Sequence, residues 1–172
     1  MNNMIIAVDG TAASGKGSLA KNLSKSLHLV HLDTGILYRI LAYKAVNFDH
    51  LNNERYKNNL INCAKKLTIK EVETIRSNSS INLRSRIISQ KSSEIAMFES
   101  VRKELTKLQR SFSKIKHSNH RGIILDGRDI GTVVFPNAKF KFFLDAEIRI
   151  RAKRRTEELI HLNYKVIYHD VL

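Results

Sequence analysis

Met4-Ile5-Ile6-Ala7-Val8-Asp9 runs directly into Gly10-Thr11-Ala12-Ala13-Ser14-Gly15-Lys16-Gly17-Ser18, and this junction decides the fold. A short apolar run, a turn bearing two glycines and a helix opening at Lys16 follow one another without a gap. Gly10 and Gly15 stand five apart with a lysine after the second, the spacing of a phosphate-cradling loop. Such a loop aims successive backbone N–H groups inward as an anion nest, and the N-terminus of the following helix adds partial positive charge. Lys16 is placed to reach the outer phosphates of a nucleotide. The helix carries Leu19, Ala20, Leu23 and Leu27 on one side, as a helix packed on a sheet should.

Outward from this junction the pattern repeats. A strand over residues 29–32 ends at Asp33, and a helix follows from about residue 35 to 46. Strand, helix, strand, helix implies a parallel sheet with right-handed crossovers. Two later apolar runs, 122–126 and 140–145, are also read as strands, each ending in Asp. Asp9, Asp33, Asp126 and Asp145 thus collect at the carboxyl ends of strands, where open α/β sheets bind ligands. Between the halves, residues 67–70 and 80–83 flank a polar turn at 77–79 and read as a small antiparallel insertion. Phe98, Val101, Leu105, Leu108, Phe112 and Ile115 recur at three and four, the stripe of a core-packed helix. After Asp145 a basic helix places Arg151, Arg154 and Arg155 at neighbouring helical positions.

Composition bounds the function class. The 172 residues suffice for one domain with a substantial core. Hydrophobic residues make up 42% of the chain, as in an ordinary globular protein. No apolar run approaches the ~20 residues of a membrane span, and the N-terminus lacks a secretory pattern. One cysteine, Cys63, excludes an intramolecular disulfide and fits a reducing cytoplasm. Thirty Lys+Arg against 16 Asp+Glu give a net charge of +14, which favours anionic partners. A bias toward Lys, Asn and Ile produces the same balance with no ligand, so charge alone does not choose.

Three more constellations carry chemistry. Thr34 and Arg39, in Leu32-Asp33-Thr34-Gly35-Ile36-Leu37-Tyr38-Arg39, lie at a strand end and in the first helical turns, suited to a second anion; a surface charge is the alternative for Arg39. Asp126-Gly127-Arg128-Asp129-Ile130-Gly131-Thr132 joins an acidic strand end, of the kind that orders Mg²⁺ or its waters, to a tight turn presenting Arg128 and Asp129. A structural Arg–Asp pair is the alternative for that turn. Arg154 and Arg155 could neutralise a transferring phosphoryl group, or form a solvated face. Residues 102–121, with seven Lys/Arg against one Glu, raise RNA binding, but no stacking motif accompanies them.

The segments GTAASGKGS, LDTGILYR, FESVRKELTKLQR and ILDGRDIGTVVFPNAKFKFFLDA, in this order, closely resemble the bacterial cytidylate kinases. The resemblance implies a phosphate-loop nucleoside monophosphate kinase fold: a parallel sheet flanked by helices, with a small antiparallel monophosphate-binding insertion. Residues 1–172 would form a single kinase domain, with 1–48 and 118–150 as core, about 49–117 as insertion and helices, and about 151–172 as a partial lid. It implies ATP-dependent phosphorylation of CMP and dCMP in pyrimidine nucleotide metabolism, by a cytoplasmic monomer without nucleic-acid or membrane partners. Gly10, Thr11, Ala12, Ala13, Ser14, Gly15, Lys16, Gly17 and Ser18 would hold the ATP phosphates. Thr34, Arg39, Ser93 and Arg102 would hold CMP, with Ser92 the alternative to Ser93. Arg128 would touch the monophosphate and Asp129 the cytosine and sugar side. Lys16, Arg128 and Arg154 or Arg155 would carry catalysis.

Because Gly17 stands where many such loops carry a hydroxyl, Mg²⁺ is expected to be held through ATP and water, with no direct protein ligand. Family members continue past the equivalent of Leu172 with an R-x-x-x-D-x-x-R lid segment and a final strand and helix. On this comparison the chain reads as C-terminally truncated, with impaired turnover and an unpaired edge at strand 140–145. A nucleotide-binding protein with little turnover, or a related small-molecule kinase of the same fold, are the alternatives.

Overall fold

The computed structural model describes residues 4–48, 53–115, 120–161 and Tyr168. Among these, the chain divides into two compact units, Met1–Leu32 with His117–Leu172, and Asp33–Lys116. The first is built on four strands, β1 (Met4–Gly10), β2 (Leu29–Asp33), β3 (Gly122–Gly127) and β4 (Phe140–Leu144), in the order β2-β3-β1-β4. β1 pairs parallel with β3, Val8 opposite Asp126, and parallel with β4, Val8 opposite Phe142. The order arises because β1, continuous and apolar, takes the interior, and β3, buried along its whole length, lies beside it. Helix α1 (Lys16–Ser26) closes one face. Leu19, Ala20, Leu23 and the adjoining Leu27 pack with Ile6, Val8, Leu29 and Ile124, the side chains expected from the sequence.

Among the described residues β4 lies at the edge of the sheet, and Phe140, Phe142 and Phe143 are exposed there. Between β3 and β4, residues 130–134 form a π-turn. The Val134 N–H reaches the Asp129 carbonyl at 3.2 Å and the Phe135 N–H reaches the Ile130 carbonyl at 2.7 Å, both five residues back. Helix α7 (Ile148–His161) follows β4 as predicted.

The second unit corrects the sequence reading. Its described residues are helical: α2 (Gly35–Lys44), α3 (Asn53–Lys66), α4 (Ile69–Ser77), α5 (Arg86–Met97) and α6 (Glu99–Phe112). The antiparallel insertion expected over 67–70 and 80–83 is replaced by α4 and a turn. Thr68 caps α4, its hydroxyl accepting the Glu71 N–H at 3.2 Å, and Glu71 three residues on completes a capping sequence. That local signal outweighs two short β-branched runs, because Leu67, Val72 and Leu83 all turn into one core. A second capped helix, α5, opens at Ser85, whose hydroxyl accepts the Ile88 N–H.

The stripe of α6 is also shorter than expected. Phe98 precedes the helix, Ile115 lies beyond it and is exposed, and Gln109 occupies a buried position within it. Val101, Leu105 and Phe112 are buried as predicted. Leu37, Ile40, Leu41, Leu60, Ile95 and Leu105 form the centre of this unit's core. Tyr56 stacks edge-on against Phe48 and Phe98, with centroids 6.4 Å apart in each pair. The Lys91 ammonium lies over the Tyr56 ring; burial holds that lysine below its ordinary value, partly offset by Glu94, and pushes the Tyr56 phenol up.

Candidate active site

In the sheet unit, β1 delivers the chain into the phosphate loop at Gly10. No side chain fits there, since a Cβ would stand 2.2 Å from the Leu144 carbonyl oxygen of β4. The loop then turns through left-handed backbone at Ala13 (φ 57°) and Gly15 (φ 99°), either side of Ser14. Alternating handedness turns consecutive N–H groups toward one point, and Gly15 permits it without a Cβ penalty. Ala13 does bear that penalty, a local strain at the tip of the cradle. Lys16, the first residue of α1, donates to the Thr11 carbonyl at 3.2 Å and so lies folded along the loop. The Ser14 hydroxyl is buried and finds no hydrogen-bond partner among the described residues. It lies beside Gly10, 3.0 Å from where a Cβ there would stand, and is a buried polar group that a ligand would satisfy.

The strand-end carboxylates settle the loops around the cradle. Asp145, just past β4, accepts the Thr11 hydroxyl at 3.0 Å. Asp126, at the end of β3 and 4% exposed, is paired with His31 of β2: Nε2 lies 2.6 Å from Oδ1. Its other oxygen, Oδ2, faces α1, 3.6 Å from where a Gly17 Cβ would be. Asp9 accepts two backbone N–H groups of the π-turn. Beyond Asp126, the exposed Arg128 and half-buried Asp129 occupy the turn before residue 130.

The two arginines of α7 separate clearly. Arg154 reaches back to the cradle, donating to the Ser14 carbonyl at 2.9 Å and the Ala13 carbonyl at 3.4 Å. Arg155 instead pairs with Glu158 one turn on, at 2.7 Å. Among the described residues no cluster of three or more His, Cys, Asp or Glu could cage a metal ion. Asp126, whose Oδ2 faces Gly17, is a carboxylate suited to accept from a cation's bound water.

The helical unit holds the other predicted residues. Thr34 is buried at the start of α2, where Asp33 Oδ1 accepts the Gly35 N–H at 3.0 Å. Arg39, one turn into α2, donates to the Leu83 carbonyl at 3.0 Å and the Ser89 hydroxyl at 2.8 Å. Ser93 donates to the Ser89 carbonyl at 3.2 Å, so Arg39 and Ser93 converge on one residue of α5. The alternative Ser92 is buried and makes the same kind of bond at 2.8 Å. Arg102, in α6, closes the α5–α6 corner by donating to the Ala96 and Met97 carbonyls at 2.8 and 2.9 Å. Sequence reasoning missed His31 and the anchoring by Asp9 and Asp145. The aspartates were visible as strand ends, whereas nothing in the spacing marks His31.

The cytidylate kinase family profile matches residues 6–172. A cytidylate kinase of Fusobacterium nucleatum subsp. nucleatum is 39% identical over 179 residues, covering 100% of this chain and 78% of the relative. A cytidylate kinase of Bartonella tribocorum is 39% identical over 173 residues, covering 100% of this chain and 74% of its own. One from Caldanaerobacter subterraneus subsp. tengcongensis is 39% identical, covering 97% and 73%.

Proposed function

The chain belongs to the cytidylate kinase family, and on that premise we propose that it transfers a phosphoryl group from ATP to CMP and dCMP, forming CDP and dCDP for pyrimidine nucleotide metabolism. The observation that carries this reading is the phosphate loop, with left-handed Gly15 opening α1, Lys16 lying along it and the orphaned Ser14 hydroxyl buried. In this reading residues 10–18 hold the ATP phosphates. Thr34, Arg39, Ser93, Arg102, Arg128 and Asp129 bind the acceptor nucleotide, and residues 1–172 act as one monomeric kinase domain in the cytoplasm.

The chemistry asks little of a general base. A phosphate acceptor is already anionic at neutral pH, so the barrier lies in bringing two polyanions together. Lys16, Arg128 and Arg154 supply positive charge where the bridging oxygens gain negative charge, which lowers the barrier electrostatically. Arg155, paired with Glu158, would have to exchange that partner to join them. Asp126, facing Gly17, would hold the water shell of a bound Mg²⁺, which would add to the charge neutralisation.

A coupled ADP-release assay with CMP, dCMP, UMP and AMP tests the reading. CMP- and dCMP-dependent release that disappears in Lys16→Ala supports it. ATP and CMP binding by calorimetry without release makes the chain a nucleotide binder. Salt-sensitive RNA binding with no response to nucleotide overturns both.

A further inference from the structure

Asp9 plays no part in the reaction just described, yet it makes a buried, two-pronged side-chain tie in the sheet unit. Its carboxylate, 7% exposed at the end of β1, accepts the Ile130 N–H at Oδ1 and the Gly131 N–H at Oδ2, each at 2.7 Å. The two donors open the π-turn and follow directly on Arg128 and Asp129. On its other side Asp9 adjoins Gly10, the first residue of the phosphate loop. One residue therefore connects the two loops through a bond that spans 121 positions of the chain, from Asp9 to Ile130.

Both bonds are charge-assisted and short. Two parallel bonds from one planar carboxylate fix rotation as well as distance, which a single bond does not. With both oxygens directed at backbone donors, Asp9 is not arranged as a base or a metal ligand. Its place is that of a clamp.

We propose that Asp9 is a positioning residue that sets the Arg128–Asp129 turn against the phosphate loop, so that acceptor affinity depends on a side chain of the donor-side strand. The proposal rests on the assignment of Arg128 and Asp129 to the acceptor nucleotide.

Asp9→Asn keeps the size of the side chain but turns an amide NH₂ toward one of the two donors. The expected result is a KM for CMP raised about tenfold with the KM for ATP within about twofold. Gly131→Ala approaches the same clamp from the other side, its Cβ lying 3.3 Å from Asp9 Oδ2, and should give a smaller split of the same sense. It also serves if Asp9→Asn does not fold. Val72→Ala, in the core of the helical unit, controls for plain loss of stability. Equal rises in both KM values, or a loss that follows melting temperature as it does in Val72→Ala, would overturn the proposal. Hydrogen exchange reads the clamp without turnover. Faster exchange over residues 128–134 with α1 unchanged supports it, and unchanged exchange there overturns it, whether or not the wild type phosphorylates CMP.

Discussion

In the sheet unit, Asp9, Asp126 and Asp145 leave the ends of β1, β3 and β4, and each fixes a neighbour: the π-turn, His31 and Thr11. In the helical unit, Arg39, Ser93 and Arg102 are fixed by turn and helix carbonyls, at Leu83, Ser89 and Ala96. The first arrangement is dictated by backbone direction, because parallel strands bring their carboxyl ends to one edge. The second depends on where helices stop and how they pack. A sheet edge therefore advertises its site in the sequence, and a helical packing unit does so only through its caps.

The sharpest way to break this contrast is Lys16→Ala. If the cradle is the donor site, CMP-dependent ADP release should fall by ~10²–10³ while the melting temperature stays near that of the wild type, as read by coupled assay and thermal melt. A comparable fall in melting temperature would make Lys16 structural. Arg39→Ala is expected to act on both axes. It removes a cation bonded to Leu83 and Ser89, so stability should drop by about 2 kcal/mol in urea denaturation and the KM for CMP should rise. His31→Leu withdraws one partner from the buried Asp126 carboxylate and should cost about 1–2 kcal/mol, measured the same way. Smallest is Thr68→Ala. Loss of the α4 cap should cost about 1 kcal/mol and leave ADP release untouched. No loss would undo the capping account of why this segment is a helix.

Legibility followed the same division. The apolar β1 run and the glycine spacing after it announced both strand and cradle, and Leu19, Ala20, Leu23 and Leu27 named the packed face of α1 correctly. In the other unit, Leu67-Thr68-Ile69-Lys70 looked like a strand because four residues are too few to reveal a period. The decisive signal was Thr68 and Glu71 read as a cap, a local bond outranking local β propensity. Arg154 and Arg155 could not be ranked from sequence, since adjacent helical positions point about 100° apart and only tertiary structure says which direction meets the loop. His31 was invisible for a related reason. Its partner Asp126 is 95 residues away, and pairing of β2 beside β3 is what joins them.

The exposed edge at β4 has a consequence for the colloidal behaviour of the protein. Phe140, Phe142 and Phe143 lie on an edge strand, Phe143 at 70% exposure, while Lys139 sits over the Phe140 ring and Lys141 binds the Pro136 carbonyl. Such lysines act as gatekeepers against strand-to-strand association, and the +14 net charge keeps molecules apart in dilute buffer. Salt shortens the reach of that repulsion to about 8 Å at physiological ionic strength and about 3 Å at 1 M. Solubility should therefore fall as salt is added, the reverse of the salting-in common for proteins near neutrality, and light scattering across a salt series would follow the edge strands finding one another.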